Sequence, residues 1–157
     1  MSTATAPGAV TLDTAQREVL HEELGALAAS LQDPAARSPY EELAAAVESG
    51  EVEEELLGRL EGILEMTLQT GRVRRVYGAQ SEQSLLRLFH QTPRGAAARR
   101  ATQAVNDSLA TLAGQTIEGM LFTVQGPGVF RLGLQTDNCR LTLEIDRHGV
   151  TVESLEV

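Results

Sequence analysis

Six arginines crowd a short stretch of this chain: Arg72, Arg74, Arg75, Arg94, Arg99 and Arg100. Guanidinium groups are planar forks of N–H donors that match carboxylates and phosphates, so the cluster points to anion binding rather than proton transfer or covalent catalysis. Its setting sharpens the point. Residues 1–71 carry fourteen acids and three arginines, a balance of −11. Residues 72–100 carry seven arginines and one acid, and residues 101–157 return to −4, for a net charge of −9. A positive segment between acidic flanks faces something negative, within the chain or outside it. Arg72, Arg74 and Arg75 follow a predicted helix, whose C-terminal dipole favours them. Arg94, Arg99 and Arg100 fall in the first turns of another, where exposed positive charge is unfavourable by about 0.3–1 kcal/mol each. A bound anion reverses that sign. Three sources fit: the glutamates at 51–55 or another acidic surface of this chain, an acidic protein partner, or a phosphate or nucleic acid.

The other reactive side chains form no constellation. His21, His90 and His148 share no ligand spacing, and the chain has no HExxH, CxxC or His-x-His pattern. Cys139 stands alone, which leaves no internal disulfide or thiolate cluster, and its place in the inward set of a strand is that of an inert core residue. Gly126-Pro127-Gly128 reads as a turn, since a phosphate loop needs more glycines and a following helix. Glu51, Glu53, Glu54 and Glu55 lie on a predicted helix start, which is no calcium loop. No catalytic residue, cofactor or metal is therefore expected.

The elements that position these residues follow from period and punctuation. Residues 1–12 are small and polar and are expected to be disordered. A first helix starts at Asp13, which forms a capping pair with Gln16, and carries a stripe of Val19, Leu20, Leu24, Leu27 and Leu31. Asp33-Pro34 ends it, and Ser38-Pro39-Tyr40-Glu41 is the clearest helix start in the chain. That helix stops at Gly50. A third opens on the glutamates at 51–55 and runs through Leu56, Leu60, Ile63, Leu64 and Leu68 to Gly71. A short helix at 84–91 follows. The last helix starts at Thr92-Pro93, with Ala98, Ala101, Val105, Leu109 and Leu112 on one face.

After Gly114 the period changes to two. Met120, Phe122 and Val124; Phe130, Leu132 and Leu134; Cys139, Leu141, Leu143 and Ile145; and Val150 and Val152 mark four strands joined by short turns. The expected architecture is α+β: an N-terminal helical region (13–91), then a helix-backed four-stranded antiparallel β-meander (92–157), together in one compact unit. Phe122, Phe130, Leu132, Leu141, Leu143 and Ile145 are the expected inward face.

Composition limits the function. The 157 residues are 42% hydrophobic but 3% aromatic, which suits an aliphatic core better than an aromatic-lined cofactor pocket. The opening stretch MSTATAPGAVTLD lacks a basic segment and an apolar run, and no run approaches 18 apolar residues. A cytoplasmic location without membrane contact is the expectation. Net acidity disfavours nucleic acid and anionic lipid as partners. The leading reading is a small acidic, non-enzymatic interaction or adaptor protein that binds a protein partner or itself, because an antiparallel sheet leaves edges that pair across a dimer. The alternatives are a phosphate or nucleic-acid binder using residues 72–100, and an apolar-ligand carrier with a void lined by Phe122, Leu132 and Leu143.

Overall fold

Helices dominate the described chain from Thr14 to Ala110, and the meander of strands begins at Ile117. The computed structural model describes residues 8–157. The chain divides into two compact units, Met1–Gly95 and Ala96–Val157. The boundary falls in the first turn of the last helix.

In the first unit, α1 (Thr14–Ser30) begins with the capping box that the spacing predicts. Asp13 Oδ1 accepts the Gln16 N–H at 2.8 Å, and Gln16 Oε1 accepts the Asp13 N–H at 2.9 Å. The next helix departs from expectation. Asp33-Pro34 starts α2 (Pro34–Ser49): Asp33 Oδ1 accepts the Ala35 N–H at 3.0 Å, and Pro34 occupies the first turn. Ser38-Pro39 lies inside this helix. Of two overlapping start signals the earlier wins, at the expense of the one hydrogen bond Pro39 cannot donate. Arg37 Nη2 then donates to the Leu31 carbonyl at 2.6 Å and satisfies the end of α1.

Gly50, at φ 88°, closes α2, and the chain enters a two-stranded pairing of β1 (Val10–Thr11) with β2 (Glu51–Val52). Val10, Leu12 and Val52 are buried, so the expected disorder of residues 1–12 does not reach its last residues. The rest of that stretch, residues 1–7, lies outside the described residues. Glu51 is accordingly in a strand, and α3 (Glu54–Gln69) starts after Glu53 with Leu60, Ile63 and Leu64 buried. A six-residue helix that the sequence reading did not foresee, α4 (Arg72–Tyr77), lies between Gly71 and Gly78, both at positive φ. Helix α5 (Ala79–Phe89) begins five residues earlier than Ser84.

The second unit holds α6 (Pro93–Ala110) from Ala96 onward, with β3 (Ile117–Gly126), β4 (Val129–Thr136), β5 (Arg140–Asp146) and β6 (Gly149–Glu156), paired antiparallel in the order β3-β4-β5-β6. The register puts Phe122 opposite Leu132, Leu132 opposite Leu143, and Leu143 opposite Val152. One face is therefore apolar across all four strands. Val105 of α6 packs on it with Leu134, Leu141 and Leu143, joined by the half-buried Leu132, Val150 and Val152. A single helix about 10–12 Å wide cannot cover four strands spaced about 4.8 Å apart once their side chains are added. The β3 end of the apolar face is left open. Of the six residues expected inward, Leu141 and Leu143 are buried and Phe130, Leu132 and Ile145 half-buried, but Phe122 is 57% exposed.

Candidate functional site

Three arginines of the cluster, Arg72, Arg74 and Arg94, are held by acids of the first unit. Arg72, at the start of α4, sends its Nε to both oxygens of Glu23 on α1, at 2.8 and 3.0 Å. The Tyr77 hydroxyl donates to the same carboxylate at 2.9 Å. Glu23 is buried, so this acid is compensated from two sides. The hydrogen bond and charge of Glu23 raise the Arg72 pKa above its ordinary value. Burial, then the Glu23 hydrogen bond, push the Tyr77 phenol well above its own. Arg74 stands 3.7 Å from Glu82, and Arg75 Nη2 donates to the Thr70 carbonyl at the end of α3.

Arg94 resolves the charge problem at the start of α6. Its backbone N–H donates to Glu61 Oε1 at 2.7 Å, its Nε lies 3.4 Å from Glu61 Oε2, and its Nη1 lies 3.1 Å from Glu65 Oε2. Glu61 is buried on α3. The free N–H groups of α6 thus have an anion beside them, supplied by the chain. Thr92 Oγ1 accepts the Gly95 N–H at 3.3 Å and completes the cap. The compensating acids are Glu23, Glu61, Glu65 and Glu82, and the glutamates at 51–55 are not among them. Arg99 and Arg100 belong to the second unit, are exposed, and make no ion pair among the described residues.

The second unit presents a different feature, on the strand whose Phe122 is expected to face inward. Along β3, Ile117, Met120, Leu121, Phe122 and Val124 are 55–70% exposed. Met120, Phe122 and Val124 lie on the helix-bearing face, opposite Leu134, Leu132 and Phe130, and Phe122 stacks on Phe130 with ring centres 5.5 Å apart. Leu121 points to the other face, beside a shallow groove floored by Gly133 and flanked by Arg131 and Thr142. The helix-bearing face of this strand is apolar, the other face carries Leu121 between Gly119 and Thr123, and among the described residues its outer edge pairs with no strand. Its one charged residue is Glu118.

The signal was present in the sequence. A strand backed by one helix needs apolar residues on one face only, yet Leu121 stands on the other face beside Thr123. The opposite edge, β6, carries two acids, Glu153 and Glu156, where β3 carries one, and its large apolar side chains are less exposed. Phe122 is open to solvent, whereas Leu143 is buried.

Cys139 is buried, and among the described residues no group of three or more His, Cys, Asp or Glu side chains could hold a metal ion. No helix is long and apolar enough to cross a membrane. No protein-family model, curated protein or solved structure matches this chain.

Proposed function

We propose that this chain is a non-enzymatic, cytoplasmic interaction protein that binds protein through the open edge of its meander, strand β3. One observation carries the reading: five large apolar side chains stand more than half exposed on a ten-residue strand with a free hydrogen-bonding edge. Monomeric proteins rarely show apolar patches beyond about 300–600 Å², and they guard sheet edges with charge, proline or bulges. An added strand would gain main-chain hydrogen bonds from the edge and side-chain contacts from both faces. The arginine segment has a structural role in this reading, because Arg72 and Arg94 are engaged with Glu23, Glu61 and Glu65.

Photo-crosslinking in the native cells tests it. A photoreactive residue at position 122 should give discrete protein adducts, and one at Thr151 on β6 should not. Absence of adducts at 122, or equal adducts at both positions, would overturn the proposal.

A further inference from the structure

Resting on that reading, we infer that the protein bound at β3 is a second copy of this chain, paired antiparallel β3 to β3 about a two-fold axis at Phe122, so that two four-stranded sheets become one of eight.

The first argument is charge. Glu118 lies near one end of β3 and is its single charged residue. Parallel pairing would set the two Glu118 side chains beside each other. Antiparallel pairing about Phe122 sends them to opposite ends, each beside Gly126 of the other copy.

The second argument is self-complementarity. Residues directly opposite in an antiparallel ladder share a face. With Phe122 opposite itself, Met120 meets Val124 and Leu121 meets Thr123, so every contact between Met120 and Val124 keeps its own face. The irregularities of β3 lie between Ile117 and Gly119 and between Val124 and Gly126, which leaves the stretch from Gly119 to Val124 regular where the pairing would form. The two Phe122–Phe130 stacks would adjoin across the axis.

The third argument is closure. Pairing of β3 with β6 of another copy is head-to-tail and gives a ring or an open filament, not a two-fold dimer. Glu153 and Glu156 oppose it, whereas the isologous β3 contact closes as a dimer.

The test uses the full chain. Light scattering at micromolar concentration should give twice the 16.8 kDa chain mass. Phe122→Lys should bring it to one chain with an unchanged circular dichroism spectrum, and Val124→Lys should do the same. Register is read by oxidation. Phe122→Cys should form a disulfide-linked dimer, because directly opposed Cα atoms lie within about 4.4–6.8 Å. Cys139, buried, leaves the introduced thiol as the reactive one. Met120→Cys alone should not cross-link, because its copies stand four residues apart along the ladder, about 13 Å. Mixed with Val124→Cys, it should.

A dimer in which Met120→Cys links to itself and Phe122→Cys does not would overturn the register. A wild-type monomer at every concentration would overturn self-pairing. In that case, adducts of position 122 with a different protein would leave the β3 interaction reading standing, and no adducts would remove both.

Discussion

The Glu61 carboxylate and the Arg94 backbone N–H meet at 2.7 Å across 33 residues of sequence. An acid from the negative first block thereby caps the helix that begins with the chain's least expected positive charges. The bond also explains why α6 tolerates Arg94 in its first turn. The helix end and the guanidinium share one buried counter-ion.

Removing that cap should be felt. Glu61→Ala is expected to lower stability by about 0.5–2 kcal/mol in urea denaturation, the range for a lost N-cap acceptor. Glu61→Gln keeps an acceptor and should fall between this variant and the wild type. Glu65→Ala removes only a more exposed ion pair and should change stability by about 0–1 kcal/mol.

Two glycine-to-alanine changes should go in opposite directions. A Cβ at Gly95 would lie 1.8 Å from the Phe89 carbonyl oxygen and 2.4 Å from its carbon, atoms of backbone that cannot step aside. Gly95→Ala should therefore cost at least the roughly 1–3 kcal/mol typical of overpacking. Gly62 sits on the exposed side of α3 with nothing within 4 Å of its would-be Cβ. Gly62→Ala should stabilise by about 0.4–1 kcal/mol, which thermal melts of both variants would read.

Core and edge of the meander should separate cleanly. Leu143 is 4% exposed in the cluster with Val105 and Leu141, and Leu143→Ala should cost about 2–5 kcal/mol in chemical denaturation. At dilutions where the chain is monomeric, Phe122→Ala loses only its stack on Phe130, about 0.5–1.5 kcal/mol.

Alkaline pH should loosen the first unit through Tyr77. Burial and the Glu23 hydrogen bond raise its folded pKa above the ordinary value of 10.0. A phenol raised in this way adds stability that is fully present below about pH 10 and is lost as pH climbs towards the folded value. The melting temperature should be flat to about pH 10 and then fall. Tyr77→Phe should remove the part of the fall that Tyr77 causes.

Salt should weaken the fold modestly. Arg72–Glu23, Arg94–Glu61 and Arg94–Glu65 join the acidic first block to the arginine segment, each with its arginine half-exposed. Differential scanning calorimetry between low and 1 M ionic strength should show a melting point lowered by a few degrees, since exposed pairs contribute about 0–1 kcal/mol each and are screened.

What the sequence made legible was local. Asp13 and Gln16, three residues apart, mark the start of α1 because a capping box is completed within one turn. The strands from Phe130 to Asp146 show because side-chain direction alternates residue by residue. Asp33-Pro34 and Ser38-Pro39 compete within one helix length, and spacing alone does not rank two valid start signals. Helix α4 is too short to show a period, and the β1–β2 pairing brings Val10 to Val52 by tertiary packing. For the arginines, opposite charge was readable, but the particular acids were not: Glu23 and Glu61 meet Arg72 and Arg94 only after the helices pack. For Phe122, alternation gave the face correctly. Whether a helix covers that face depends on the width of α6 against the width of the sheet, which no single strand records.

The order β3-β4-β5-β6 repeats the order of the chain, and that has a kinetic consequence. Each strand finds its partner just across a short turn, so the meander assembles by successive small loop closures instead of one long search. Folding rates fall as contacting residues become more distant in sequence. The second unit should therefore fold faster than sandwiches or barrels with the same number of strands, and with little time spent as unpaired strands.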